Sequence, residues 1–344
     1  MDKKYKVLVT GGCGYIGSHT SIDLLEKDFE VVSADSLVRS KPFVADRVRE
    51  ISNKPFDNYA IDCRYEDELR TVFEAHPDIQ GVIHFAAFKA VGESVEQPLM
   101  YYDNNINSLI TVLKLSEEFG VKDFVFSSSC SVYGNADALP VREDTPFAEP
   151  ESPYGRTKVI SEQIIKEYSI NSNMRFILLR YFNPVGSHTS GKLGEIPFGS
   201  PQNLVPVITE TAIGKRKSLT VFGSDYDTRD GSCIRDYIHV MDIADAHTKA
   251  LTYLKDENNE QQVEIFNLGT GNGVSVLEMI NSFEHETGVK LNYTMGPRRE
   301  GDVIAVYADN SRSKERLGWD CKYGVSDMMK SAWRWEQRMR EEHI

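Results

Sequence analysis

The sequence predicts an α/β fold: a doubly wound parallel sheet with helices on both faces, joined to a smaller α/β domain. Three observations predict it. Short apolar runs of strand length alternate with stretches of helical spacing from the start of the chain to residue 182. A glycine turn, Thr10-Gly11-Gly12-Cys13-Gly14-Tyr15-Ile16-Gly17, stands between the first apolar run and the first helical stretch. Beyond Phe182 the texture changes, and residues 183–206 are rich in Gly, Pro and Ser, a composition typical of loops.

Taken in order, residues 5–9 read as a buried strand and 18–27 as a helix with Ile22 and Leu25 on one side. Further strands are expected at 30–34, 58–61, 81–85, 123–127 and 175–180, with helices at 66–75, 99–119 and 154–169. Strands this short and apolar, alternating with helices, belong in a parallel sheet covered on both faces. Short strands and helices resume through Arg235-Asp236-Tyr237-Ile238-His239-Val240, then 263–268 and a helix over 275–286. In the last helix Met328, Met329, Trp333 and Trp335 are expected to serve packing. The division expected is 1–182 plus about 236–268 for a dinucleotide-binding domain and about 183–235 plus 269–344 for a substrate domain.

Composition narrows the function. A net charge of −13 argues against a nucleic-acid or anionic-membrane surface. No stretch of about 18 apolar residues exists to span a membrane. Lys3, Lys4 and Lys6 ahead of Val7-Leu8-Val9 resemble the start of a secretion signal, but the apolar run ends at once in Thr10-Gly11. The cysteines are 13, 63, 130, 233 and 321, odd in number and without a CxxC spacing, which fits a reducing compartment and makes the cytosol the expectation. His19, His84, His188 and His239 lack metal-ligand spacing, so no metal is expected.

Gly11, Gly14 and Gly17 recur every three residues between a strand and a helix, the arrangement of a Rossmann-type turn. Glycines there permit a tight turn and close approach of a dinucleotide diphosphate to the helix start. Asp35 ends the next strand, where a carboxylate accepts ribose hydroxyls and repels a 2′-phosphate. That favours NAD over NADP, with Arg39 nearby as the opposing consideration. Asp62, at the end of the third strand, is placed either for the adenine edge or for a turn. Phe85, Ala86, Ala87 and Lys89 follow the fourth strand at the carboxyl edge of the sheet, where ligands of this architecture bind.

Tyr154 precedes Lys158 by one helical turn, and Ser129 stands at the end of an apolar strand. A phenol with its ordinary pKa of about 10 is no base near neutrality. An ammonium one turn away is expected to lower that value, making a proton shuttle beside a hydride carrier.

Eight blocks now carry a resemblance: the glycine turn, Lys89-Ala90-Val91-Gly92-Glu93-Ser94, Tyr102-Asp103-Asn104-Asn105, Ser127-Ser128-Ser129-Cys130-Ser131-Val132-Tyr133-Gly134, Tyr154-Gly155-Arg156-Thr157-Lys158, Arg180-Tyr181-Phe182-Asn183-Pro184, Arg235-Asp236-Tyr237-Ile238-His239-Val240 and Arg299-Glu300-Gly301-Asp302. Over nearly its whole length the chain resembles the extended short-chain dehydrogenase/reductase family. The resemblance implies a tightly held NAD, reduced and reoxidised within one turnover, and inversion at C4 of a UDP-sugar. Tyr154 would be the catalytic base, Ser129 its partner on the sugar 4-oxygen, and Lys158 would bind the nicotinamide ribose. It adds Tyr15, Ile16, Cys63, Asn104, Tyr181 and Phe182 to the cofactor residues. For the substrate it implies Asn183 at the phosphates, Asn203 and Leu204 in the pocket, and Thr220, Val221 and Phe222 at the uracil. Arg235 and Arg299 would grip the diphosphate, and Asp302 a ribose hydroxyl.

Two departures refine the expectation. Relatives that dehydrate the sugar carry an acid just after the strand-end hydroxyl, whereas here Cys130-Ser131-Val132 follows Ser129, favouring interconversion of UDP-glucose and UDP-galactose over elimination. Val306 stands where members confined to plain hexoses tend to carry tyrosine, which implies room for an N-acetylated sugar unless Tyr307 fills it. UDP-N-acetylglucosamine epimerisation as the main activity, another NAD-dependent sugar-nucleotide modification, and a net dehydrogenase are the alternatives. A dinucleotide-sensing regulator is disfavoured because both Tyr154 and Lys158 are present. The family also implies a homodimer through the helices 99–119 and 154–169.

Overall fold

The computed structural model describes residues 4–136, 138–299 and 303–344. In chain order the first half contains β1 (Lys6–Thr10), α1 (Tyr15–Glu26), β2 (Glu30–Ala34), α2 (Phe43–Ser52), β3 (Asp57–Tyr59), α3 (Glu66–Ala75), β4 (Ile79–His84), α4 (Val91–Glu96), α5 (Pro98–Glu118), β5 (Asp123–Ser129), α6 (Pro153–Ser169) and β6 (Arg175–Tyr181). The second half adds β7 (Asn183–Val185), α7 (Leu204–Ala212), β8 (Leu219–Phe222), β9 (Ile234–Arg235), β10 (Tyr237–His239), α8 (Val240–Lys255), β11 (Val263–Leu268), β12 (Val274–Ser275), α9 (Val276–Thr287), β13 (Tyr293–Gly296), β14 (Ala305–Val306), α10 (Ser311–Leu317) and α11 (Val325–Glu341).

Seven strands form one parallel sheet in the order β3-β2-β1-β4-β5-β6-β11. Successive side chains of a strand point to opposite faces, and each face has its own core. Val7, Val9, Ile83, Val125 and Ile177 meet Ile22 and Leu25 of α1 and Ile243 and Leu251 of α8. Leu8, Val82, Phe124, Phe126, Phe176 and Leu178 meet Leu69 and Phe73 of α3, Leu109 and Val112 of α5 and Ile165 of α6. The strand order reverses between β1 and β4, so the crevice outside their carboxyl ends is where this topology places a ligand.

The remaining elements build a smaller unit beside that edge. Its core joins Val205 and Ile208 of α7, Val221 of β8, Met279 and Phe283 of α9, and Met328 and Met329 of α11, with Trp333 packed against it. Trp335 is buried as well, its indole donating to the Glu195 carbonyl at 2.8 Å. The expected packing role of the final helix therefore holds.

Several boundaries differ from the sequence pattern. Helix α1 starts at Tyr15 rather than 18, directly on Gly14. The third strand ends at Tyr59, leaving Ile61 and Asp62 in the turn beyond it. Helices α2 and α4 were not anticipated, nor was the length of α8, which follows the His239 cap directly. Residues 183–206 hold β7 and the start of α7 as well as loop.

Helix α6 has a defined start: Ser152 caps it, accepting the Gly155 amide at 3.1 Å, and Pro153 occupies its first turn, where a missing N–H costs nothing. Replacing Ser152 with alanine is expected to cost about 1 kcal/mol, read as a lower denaturant midpoint with unchanged slope.

Candidate active site

The glycine turn is built for close approach. Gly11 has φ of 71°, and a Cβ there would stand 2.9 Å from the Ala86 amide nitrogen. A side chain at Gly17 would strike the Gly11 carbonyl. Gly14 caps α1 without a side chain, and no acidic residue lies in the first turn, so the helix amides and their dipole face the crevice. Asp35 is buried at the end of β2; its carboxylate accepts from the Cys13 amide at 3.0 Å, the Leu37 amide at 2.8 Å and Ser40 Oγ at 2.8 Å. These donors fix the carboxylate beside the turn. A dinucleotide diphosphate and ribose fit this set of groups.

Arg39 is committed elsewhere. Its guanidinium donates to Glu93 at 2.6 Å and lies over the rings of Phe88 and Phe198, at 4.9 and 4.1 Å. The guanidinium is thus already engaged by a carboxylate.

The other cofactor candidates separate into groups. Phe85 and Ala86 hydrogen-bond through their amides to Thr10, at 3.0 and 3.4 Å, which joins the β4 end to the glycine turn. Ala87 continues that segment. Ile16 packs against the core, whereas Tyr15 turns toward the smaller unit and donates to the Gly186 carbonyl at 2.6 Å. Lys89 pairs with Glu195 at 2.8 Å. Asp62 is gripped by Arg64, whose hydrogen bonds hold the carboxyl below its usual range despite partial burial. Cys63 is buried and its thiol is pushed up by burial. Asn104 donates to Asn105 Oδ1 at 3.0 Å.

Sequence reasoning missed Asn105 itself. Buried on α5, it bonds both the amide and the carbonyl of Phe88, at 2.8 and 3.1 Å, and Thr157 Oγ1 at 3.1 Å. It thereby ties the β4–α4 loop to α6. Its one signal was membership of the Tyr102–Asn105 block.

The end of β5 and the start of α6 bring the catalytic candidates together. Ser129 stands near enough to Tyr154 for its hydroxyl to favour the phenolate, and it accepts the Ser131 amide at 3.2 Å. Lys158 donates from Nζ to the Ser127 carbonyl at 2.7 Å, with its ammonium 4.9 Å from the Phe126 ring centroid and 5.9 Å from that of Tyr154. Ser127 Oγ in turn contacts the Tyr181 hydroxyl. Burial pushes the Tyr154 phenol up to about 12, the Ser129 hydroxyl acting against it. Burial also pushes Lys158 down to about 8, opposed by the charge of Glu162. The Lys158 ammonium was expected to lower the Tyr154 pKa; here burial raises it, and the ammonium is directed at the Ser127 carbonyl.

On the substrate side, Asn183 donates to the Asp236 carbonyl at 3.0 Å, fastening β7 to β10. Phe182 is buried with Val132, Tyr133 and Val306. Asn203 sits at the N-cap of α7 without a side-chain cap bond, and Leu204 opens the helix. Thr220 and Phe222 are exposed on one face of β8 while Val221 is buried on the other, so the three do not share a surface. Arg299 lies over the Phe222 ring at 5.5 Å. Arg235 donates to the Val303 carbonyl at 2.6 Å and stands opposite Val306 in the β9–β14 pair. Asp302 lies outside the described residues. Tyr307, one position on from Val306, turns the other way: its ring lies 3.1 Å from where a side chain on Gly273 would be.

This arrangement is that of a dinucleotide-dependent enzyme acting on an alcohol. The family model described as GDP-mannose 4,6 dehydratase matches residues 8–332. The chain belongs to the extended short-chain dehydrogenase/reductase family. Within it the chain groups with the UDP-glucose 4-epimerases: it is 44% identical over 331 residues to that of Bacillus subtilis, covering 96% of each chain. The crystal structure of UDP-glucose-4-epimerase from Stenotrophomonas maltophila with bound NAD and formylated UDP-arabinopyranose superposes with a TM-score of 0.95 at 42% identity, covering 98% of this chain and 99% of that one. The Bifidobacterium longum enzyme in complex with NAD+ and UDP gives 0.91 at 44% identity, with 97% and 98% covered.

In dinucleotide-free protein the phenolate absorbance lost on replacing Tyr154 with phenylalanine is expected to titrate near pH 12, and adding oxidised NAD should move it toward neutrality. A midpoint near 7 in the free protein would show that Lys158 suffices.

Proposed function

We propose that the protein is an NAD-dependent isomerase that interconverts UDP-glucose and UDP-galactose by inverting C4 through a transient 4-keto sugar. The observation that carries this reading is the meeting of Tyr154, Ser129 and Lys158 at a sheet edge that also holds the glycine turn and Asp35. NAD bound there supplies a hydride acceptor and then a hydride donor at the sugar C4.

The chain's own residues handle protons and position. Tyr154, ionised, takes the proton of the sugar 4-hydroxyl, and Ser129 hydrogen-bonds the same oxygen. The positive charge of Lys158 favours the phenolate, because the two groups share a water-poor site where charges interact strongly. Arg235 and Arg299 suit the diphosphate, a guanidinium fork matching phosphate oxygens. Held by that end, the 4-keto sugar is free to turn and present its other face, which inverts the centre.

Elimination is disfavoured because nothing after Ser129 supplies a second acid and base. Cys130 is the nearest candidate, and burial pushes its thiol up to about 12, leaving it neutral. Val306 supports a wider substrate range: with Tyr307 on the opposite face, valine leaves its side of the strand small, as an acetamido group at C2 requires.

We also read residues 1–182 plus about 236–268 as the NAD-binding domain and the rest as the UDP-sugar domain, in line with the membership of β11 and α8 in the large sheet's layers. A homodimer is proposed through α5 and α6, where Leu99 and Ile110 stand exposed and Ile106, Ile160 and Ile164 are partly so. The cytosol is the proposed location, on the scattered cysteines of the sequence.

Proton NMR of products from UDP-glucose, UDP-galactose and their two N-acetylated counterparts tests the reading. C4 epimers without NADH accumulation are expected, and a 4-keto-6-deoxy product would overturn it. Tyr154→Phe is expected to lower kcat by roughly 100-fold or more. Val306→Tyr should reduce acetylated-sugar turnover by about tenfold relative to plain sugars, the scale of a steric misfit of 1–3 kcal/mol.

A further inference from the structure

Two adjacent residues at the end of β5 each hold one turn of α6, and Ser129 stands beside the turn that carries Tyr154. The Ser127 carbonyl accepts from Lys158 at 2.7 Å, and Ser128 Oγ donates to Glu162 Oε1 at 2.5 Å. The three helix residues are spaced by four and therefore lie along one face. Glu162 is fully buried and also receives Arg180 of β6, from Nε at 2.9 Å and Nη2 at 2.6 Å. Arg180 donates further to the Tyr133 hydroxyl at 2.9 Å and the Glu143 carbonyl at 3.0 Å. Of this pair, Arg180 stood out in the sequence only as the first residue of the Arg180–Pro184 block, and Glu162 had no local signal.

Stability is a poor explanation for it. A buried ion pair surrenders the hydration of both charges, and a matched apolar pair is often as stable or more so. Position explains it better. Apolar contacts tolerate sliding, whereas a two-pronged guanidinium–carboxylate bond with a third donor fixes where the helix sits.

We propose that Glu162 is a positioning residue of the reaction: it locks α6 in register on the end of β5, so that Tyr154 and Lys158 face the cofactor crevice. This rests on the epimerase reading above. The titratable and charged groups around the pair are Tyr154 and Glu162 on α6 itself, His84 from β4, and Tyr181 and Arg180 from β6, with Tyr133 and Lys166 beside Arg180 and Glu162. His84 is neutral, burial and the Lys158 charge holding it near 3. Glu143, whose carbonyl accepts from Arg180, is a second carboxylate residue beside Arg180 and Tyr133, and Glu162 is the one whose charge acts on Lys158. Since its charge raises the Lys158 pKa, removing that charge lets Lys158 lose its proton at lower pH, and the alkaline limb of kcat moves down.

The test compares Glu162→Gln, Glu162→Asp and the double variant Glu162→Gln/Arg180→Met with the parent, as full-length protein with NAD and UDP-galactose. Glu162→Gln is expected to lower kcat roughly tenfold at a KM within about twofold of the parent, and to move the alkaline limb down by about one pH unit. Glu162→Asp should return the limb toward its parental position. If the single variant does not fold, the double variant, which leaves no lone buried charge, carries the test through a lowered kcat at parental KM. A folded variant with parental kcat and an unmoved limb would overturn the proposal, as would a loss seen only in melting temperature. Parent protein inactive on UDP-galactose would instead refute the epimerase reading, and that is measured first.

Discussion

Desolvation at the junction of β5 and α6 is the constraint on which the site depends. The burial that excludes water from Tyr154 and Lys158 disfavours the working form of both: the phenol rises to about 12 and the ammonium falls to about 8. Neither shift suits a base that must work near neutrality. The groups around them work against it, with Ser129 stabilising the phenolate, the Ser127 carbonyl the ammonium, and Glu162 adding a charge of the right sign. An oxidised NAD held here would supply the rest, its positive ring favouring the phenolate, so that under the proposed reading the base would respond to the redox state of the cofactor.

Parallel β-α-β topology makes that coupling geometric. The glycine turn, Asp35, Phe85 and Ser129 stand at the carboxyl ends of β1, β2, β4 and β5, so one sheet edge brings together residues far apart in sequence. Asn105 ties the Phe88 loop to Thr157 on α6, and the Thr10 contacts join the β4 end to the glycine turn. The crevice walls are therefore braced against each other before any ligand arrives, which reduces the ordering cost of binding.

Much of this was legible because it follows local rules. Gly11 needs a positive φ, Asp35 directly follows the five-residue strand β2, and the Tyr154–Lys158 spacing is one helical turn. What was not legible depends on contacts across the sheet. Glu162 and Arg180 are charged residues in an ordinary helix and strand, and nothing local separates them from a solvated pair. Arg39 looked free to receive a phosphate until Glu93, Phe88 and Phe198 were seen around it. Helix α2 is short on a polar background and α4 buries only Ser94, with Val91 and Val95 exposed, so neither carried a clear apolar period in the sequence. Val221 illustrates a further limit: a motif copied as three consecutive residues cannot all face one ligand, because alternation along β8 turns the middle one into the core.

The two ends of the substrate site differ in kind, and the reaction requires the difference. An enzyme that returns hydride to the opposite face of C4 must hold both epimers and let the ring turn between them. Directional hydrogen bonds all around the hexose would favour one epimer and raise the barrier to turning, since each would be broken on rotation. The nucleotide end can be gripped firmly, because it does not move. The proposed reading assigns Arg235, Arg299 and Phe222 to that side, whereas Val132, Phe182 and Val306 form an apolar cluster beside the turn after β5. An apolar wall excludes water and constrains shape without prescribing orientation. In the proposed reading the same non-directional wall would let one side chain at position 306 set how bulky the sugar can be, because it would act through volume, with no hydrogen bond to lose.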